Sequence, residues 1–188
     1  MTLTLLKKQF KKAKIVQKGS YQYVINSITE QDPALEPVIL EDCANKLLKK
    51  LNYKEASKIL TPEAMGITIA TTISLKTSIP LIIATRREKM VPDEIVVTYA
   101  TGYENGILHF NNINKGEKIL IIDDLISTGG TITALINGIK RAGAQVVDIG
   151  AIFCKIDYKG LEKLKKIGYN PKVLFKIRID KNRVMVSS

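Results

Sequence analysis

Apolar positions along the chain switch between helical spacing and short unbroken runs, and the switching lays out a succession of helices and strands. Residues 2–13 place Leu3, Leu6 and Phe10 at helical spacing with lysines between them, an amphipathic helix suited to packing rather than to a membrane. Tyr21-Gln22-Tyr23-Val24-Ile25 alternates weakly and reads as a strand. Asp32-Pro33 and Glu36-Pro37 punctuate a loop ahead of a helix over 38–51. From there strand, turn and helix repeat. A short strand at 57–61 leads through the turn Pro62-Glu63-Ala64-Met65-Gly66 into a helix ending near Ser74, and 79–84 is a buried strand. The polar stretch 86–106, with Pro92 and two glycines, predicts a mobile loop with β character at 95–99. Then follow a β-branched strand at 118–122, a helix at 129–142, a strand at 145–153, a helix at 160–166 and a last strand at 171–179.

Strands that are apolar along their whole length cannot turn a face to water, so amphipathic helices must cover both sides of a parallel sheet. The fold class is α/β. No internal repeat or low-complexity segment interrupts it. A chain of 188 residues is the size of one compact domain. Such a chain buries roughly two thirds of its unfolded surface and needs neither disulfide nor metal for a core.

Composition changes this picture little. Cys43 and Cys154 are far apart, lack zinc-site spacing, and read as two buried thiols. No apolar run is long enough to span a bilayer and no leader pattern is present, so the expectation is a reduced, cytoplasmic protein without membrane attachment. The formal charge of +11 is carried mostly by scattered lysines, with clusters at 7–14 and 155–166. These read first as a solvated face, then as attraction for a polyphosphate. Without interleaved aromatics, a nucleic-acid surface is the weakest of the three readings. His109, in a strand-like stretch after Leu108, reads as structural.

The candidate chemistry sits in Lys118-Ile119-Leu120-Ile121-Ile122-Asp123-Asp124-Leu125-Ile126-Ser127-Thr128-Gly129-Gly130-Thr131. Apolar residues enter the sheet, two acids stand at the strand's carboxyl end, and a Ser/Thr/Gly loop opens a helix, at the edge where open α/β sheets bind ligands. Gly129 and Gly130 let successive N–H groups turn into one concavity, the helix adds its positive end, and Ser127, Thr128 and Thr131 add hydroxyl donors, a cradle for phosphate. Asp123 and Asp124 would repel that phosphate, so their use is to accept hydrogen bonds from ribose hydroxyls, directly or through a metal. Acids and a phosphate cradle on one turn specify a sugar phosphate. The segment lacks the Gly-Lys-Ser/Thr ending of a nucleotide-binding P-loop and the glycine spacing of a dinucleotide fingerprint.

At every position this segment resembles the phosphoribosyl pyrophosphate signature of type I phosphoribosyltransferases. From about residue 19 to 180 the chain looks like the short archaeal hypoxanthine (hypoxanthine/guanine) phosphoribosyltransferases, relatives of the adenine enzymes. The carrying features are Tyr21-Gln22-Tyr23, Glu63-Ala64-Met65-Gly66, Ser127-Thr128-Gly129-Gly130-Thr131 and Lys176-Ile177. The resemblance implies a single domain over 1–188 with a parallel-sheet core at about 38–169, a flexible loop at about 86–106, and a small base-binding hood from about 15–37 and 170–188. It implies ribose and 5-phosphate binding by Asp123, Asp124, Ser127, Thr128, Gly129, Gly130 and Thr131. It implies pyrophosphate binding by Glu63, Ala64, Met65 and Gly66, with Arg87 and Lys89 closing from the loop.

Asp123 and Asp124 would be the catalytic pair, meeting Mg²⁺ only indirectly, and the chain would act as a homodimer. The partners implied are phosphoribosyl pyrophosphate and a purine base, hypoxanthine and guanine first. Adenine, or a phosphoribosyl-pyrophosphate-sensing regulator, is the alternative. One position departs from the pattern: the longer 6-oxopurine enzymes carry an acid facing purine N7 where this chain has Ser127.

Overall fold

The computed structural model describes residues 2–102 and 104–187, so Tyr103, within the loop expected at 86–106, lies outside the described residues. The order is α1 (Thr2–Lys11), β1 (Ile15–Lys18), β2 (Tyr21–Val24), α2 (Pro37–Leu48), β3 (Lys58–Pro62), α3 (Gly66–Thr77), β4 (Leu81–Ala84) and β5 (Ile95–Ala100). There follow β6 (Asn105–Phe110), β7 (Lys118–Ile126), α4 (Gly130–Arg141), β8 (Gln145–Lys155), α5 (Gly160–Lys166), β9 (Lys172–Asp180) and β10 (Arg183–Ser187). A central sheet runs β10-β9-β8-β7-β3-β4, while β1-β2 and β5-β6 stand apart as antiparallel hairpins.

The apolar run of β7 explains the layers. Leu120 and Ile122 enter one core, with Leu6, Phe10, Ile39, Leu47, Ile69 and Ile73 from α1, α2 and α3. Ile119 and Ile121 enter the other, beneath α4 and the β5–β6 hairpin. A strand that alternates between two dry cores must be apolar at every position.

Three features depart from the expectations. The sheet is mixed: β3, β4, β7, β8 and β9 are parallel, but β10 returns antiparallel to β9. The connecting residues Lys181 and Asn182 both have positive φ, 43° and 63°, as a two-residue hairpin turn requires. The stretch expected to be a mobile loop holds a six-register hairpin, Ile95 opposite Phe110 through Ala100 opposite Asn105. Finally, β7 and β8 run further than expected, so Asp123 and Asp124 lie inside β7, and β8 ends on Lys155.

The amino-terminal helix is built into the main core. Phe10 is fully buried and sets its ring edge-on to Phe153 at 4.8 Å and to Phe175 at 5.0 Å, while the Leu3 N–H donates to Asp42 Oδ2 at 3.0 Å. Phe10→Ala is expected to cost about 3–5 kcal/mol of unfolding free energy, read as a lowered urea midpoint at unchanged m-value. A loss below about 1 kcal/mol would mean that α1 is a dispensable appendage.

Candidate active site

A cavity of about 280 Å³ opens at the carboxyl ends of β3, β7 and β8. Two helices point their amino termini at its edge. Helix α4 starts from Gly129, in the left-handed region at φ 74°, and α3 starts from Met65. Neither cap residue lends a side-chain bond and neither first turn holds an acid; the Gly130 N–H makes one long contact with Thr128 Oγ1 at 3.4 Å, and the two helix ends otherwise suit an anion. The glycines there are dictated by crowding. A Cβ on Gly130 would stand 1.7 Å from the Ala100 carbonyl oxygen, and one on Gly66 would meet Thr61 Oγ1 at 2.6 Å and Asp123 Oδ1 at 2.8 Å.

Asp123, Asp124, Ser127, Thr128, Gly129, Gly130 and Thr131 all line this cavity, as do Glu63, Ala64 and Met65. Gly66 lies just behind, beneath the first turn of α3. The Glu63–Ala64 peptide is cis. Arg87 and Lys89 do not reach the cavity; the arginine that lines it is Arg86. Its backbone N–H donates to Glu63 Oε1 at 2.7 Å and its guanidinium pairs with Glu104 at 2.9 Å, tying the turn after β3 to the hairpin tip.

The two acids are under strain of charge. Asp123 is buried, and burial together with the neighbouring Asp124 charge pushes its carboxyl well above the ordinary range. Burial raises Asp124 as well. The Asp124 N–H donates to Asp123 Oδ1 at 2.9 Å, which offsets only part of that cost. Acids Glu30, Glu63, Glu104, Asp123 and Asp124 line the cavity against the two bases Arg86 and Lys155. That donor set fits a divalent cation carried by a polyanionic ligand. Among the described residues no group of three or more His, Cys, Asp or Glu side chains could hold one unaided.

Sequence reasoning missed Lys155, which it counted as one of a run of surface lysines. Its side chain is only 2% exposed, and burial lowers its pKa to about 8 against the opposing charges of Asp157 and Glu30. The ammonium donates to the Gln22 carbonyl and lies 3.8 Å from the centre of the Tyr21 ring. Tyr21 in turn donates from its hydroxyl to Ser127 Oγ at 3.3 Å. The signal was available in principle: Lys155 closes a buried apolar strand and precedes the solvent-facing lysines by one turn.

Other candidates are structural. Cys43 and Cys154 are buried free thiols, each pushed up to about 12 by burial. His109 sits in β6 with Nδ1 3.4 Å from Glu94 Oε1. Among the described residues no helix is long and apolar enough to cross a membrane.

The family model described as the phosphoribosyl transferase domain matches residues 32–187. Hypoxanthine/guanine phosphoribosyltransferases of Methanocaldococcus vulcanius and Methanocaldococcus jannaschii are each 42% identical over 182 residues, spanning 97% of this chain and 99% of theirs. An adenine phosphoribosyltransferase structure from Thermoanaerobacter pseudethanolicus aligns with a TM-score of 0.76 at 22% identity, covering 93% of this chain and 99% of its own. The Trypanosoma brucei adenine enzyme, in complex with AMP, pyrophosphate and ribose-5-phosphate, aligns at 0.74 and 20% identity, covering 95% and 83%. At such identities the structural likeness speaks for the fold alone.

Asp123→Asn removes a buried, repelled charge and is expected to stabilise the free protein by roughly 1–2 kcal/mol near neutral pH. Because the folded-state pKa is raised, wild-type stability falls as pH rises from the ordinary carboxyl range through that pKa. The gain should therefore vanish in acid, where both states are protonated. Urea unfolding at several pH values checks this, and a variant less stable at neutral pH would refute it.

Proposed function

Since the chain belongs to the phosphoribosyltransferase family, we propose that it transfers the 5-phosphoribosyl group of phosphoribosyl pyrophosphate to hypoxanthine and guanine. The products are IMP or GMP and pyrophosphate, in a step of purine salvage. The carrying observation for the base is Lys155. An ammonium has three donors and no acceptor. One donor is held by the Gln22 carbonyl and another lies against the Tyr21 face, so what remains in the cavity can only donate. A 6-oxo group accepts such a bond, whereas the 6-amino group of adenine presents hydrogens to it. The names of the relatives at 42% identity agree with this reading.

The other groups take their roles from position. The uncapped amino terminus of α4, with Thr128 and Thr131, holds the 5-phosphate, and that of α3, with Ala64 and Met65, holds the pyrophosphate. Asp123 and Asp124 accept from the ribose hydroxyls. As the C1–O bond to pyrophosphate breaks and the C1–N9 bond forms, positive charge grows on the ribose ring, and the imidazole proton of the base passes to water or to the departing pyrophosphate. The two carboxylates lie where that charge is stabilised. Mg²⁺ bound with the pyrophosphate would neutralise the leaving group. Arg86 shields the same group from one side and Tyr21 bounds the base on the other. The active form is a cytoplasmic homodimer, in which the exposed Leu75 and Val38 would find partners.

Purified protein with Mg²⁺ and phosphoribosyl pyrophosphate should turn over hypoxanthine and guanine and leave adenine largely unused. Replacing both acids, Asp123→Asn with Asp124→Asn, should remove at least two orders of magnitude of kcat/KM. Full turnover by that double variant would end the assignment of these acids.

Lys155→Met should lower hypoxanthine kcat/KM by about 100-fold while adenine use does not fall in step. Because kcat/KM follows the free enzyme, hypoxanthine use in the wild type should decline as pH rises through about 8, where the ammonium loses its proton. Equal losses for both bases in Lys155→Met, or a flat profile across that range, would count against the base assignment.

A further inference from the structure

Immediately after Lys155 the chain makes a single 3₁₀ turn, Ile156–Tyr158, before α5. This turn grips the elements around the base. The Gln22 N–H donates to Tyr158 Oη at 3.0 Å, while the Gln22 carbonyl accepts from Lys155. Strand β2 has a partner strand on one side only, and these two contacts satisfy both backbone groups of Gln22 on its open edge. The next residue back, Asp157, accepts the Ile179 N–H of β9 through Oδ2 at 2.9 Å. The turn therefore joins the amino-terminal hairpin, the carboxyl-terminal hairpin and β8 at the point where the buried ammonium emerges.

The tyrosine also shapes the surroundings of that ammonium. Lys155 Nζ lies 4.9 Å from the Tyr158 ring centre and 3.8 Å from that of Tyr21, and the two rings are 4.7 Å apart, inclined by 31°. The Gln22 carbonyl and the nearer Tyr21 face take two of the three N–H groups, and the more distant Tyr158 ring bounds the space in which the third points. Tyr158 is not among the residues lining the cavity, so it acts on the base only through Lys155, Gln22 and Tyr21.

We infer that Tyr158 is a positioning residue for base recognition: it locks Lys155 and the β2 edge in the register in which the ammonium meets the purine 6-position. The inference rests on the assignment of Lys155 to the base. It gives Tyr158 no part in holding phosphoribosyl pyrophosphate, whose contacts come from α3, α4 and β7. The effect of disturbing it must fall on the base.

Tyr158→Phe keeps the ring and removes the oxygen that accepts from Gln22. It should raise KM for hypoxanthine about fivefold, the worth of one ordinary hydrogen bond. KM for phosphoribosyl pyrophosphate and kcat at saturating base should stay within about twofold. Tyr158→Leu removes the ring too, and should raise the hypoxanthine KM by about 20-fold and erode the preference for hypoxanthine over adenine. Thermal unfolding of both variants establishes that they are folded.

If Tyr158→Phe leaves both KM values unchanged, or raises them equally, Tyr158 is a general structural residue and the inference is wrong. Running Lys155→Met alongside separates the two levels. Should that variant lose hypoxanthine selectively while Tyr158→Phe does nothing, the base assignment stands and the role of Tyr158 falls. Should Lys155→Met lose both bases alike, the base assignment falls with it.

Discussion

The parallel ladder between β7 and β8 has to hold a buried carboxylate, a half-buried one and a buried ammonium within a few residues of its end. Asp123 faces Ala151 across the ladder and Ile126 faces Cys154, one residue short of Lys155. Burial disfavours charge on all three, raising the acids and lowering the lysine. Among the described residues they form no ion pair that would relieve one another. The cost is met by the strands themselves, which carry fully buried apolar side chains into a core on each face. Groups held on strands between two packed cores cannot move aside to find water. The site is therefore preorganised at the expense of stability, and the ligands proposed above, with their ribose hydroxyls, cation and carbonyl oxygen, would satisfy all three at once.

How this cavity attracts a polyphosphate is less obvious than the net charge of +11 suggests. Acids outnumber bases among its lining residues, and the many lysines lie mainly elsewhere on the surface. Attraction at close range comes instead from two uncapped helix ends, whose amides converge on the carboxyl edge of the sheet. The surplus of carboxylates then has a use. It makes the cavity unwelcoming to a bare anion and receptive to one that arrives with its own cation. Surface lysines can raise the encounter rate, but discrimination is set within the cavity.

What was legible in the sequence follows from how contiguous each device is. The role proposed for the segment from Asp123 to Thr131 uses consecutive backbone amides and hydroxyls, so its chemistry is written in consecutive residues. The alternation of β7 between two cores leaves an unbroken apolar run, which identifies a buried parallel strand. Devices assembled from distant segments were not legible. Lys155 matters because a hairpin 133 positions earlier offers it a carbonyl and a ring, and its own neighbourhood shows only that it closes a buried strand. Strands β1 and β10 were missed, and β6 was read as strand-like only around Leu108 and His109, because each is short, mixed in polarity and lies at an edge, where one neighbour suffices and alternation is weak. The turn at Lys181-Asn182 has no glycine, and only its two positive φ angles betray the hairpin.

The hairpin β5–β6 bears on which part of the segment expected to close over the site is able to move. Its tip is committed: the Ala100 carbonyl packs where Gly130 has no Cβ, and Gly102 lies against the Tyr21 ring and Thr128. Its base is committed too, since Thr85 and His109 exchange backbone hydrogen bonds at 2.9 and 2.7 Å. Between these anchors lies the short connection from Arg86 to Glu94, with Arg87 largely exposed and Met90 and Asp93 in the left-handed region. Glu94, which accepts the Lys89 N–H and faces His109, marks its far hinge. A strand pair fixed at both ends cannot swing as a lid. Any movement that brings Arg87 and Lys89 to the pyrophosphate must therefore pivot between Thr85 and Glu94, and it must first exchange the grip of Glu104 on Arg86 for that of the ligand.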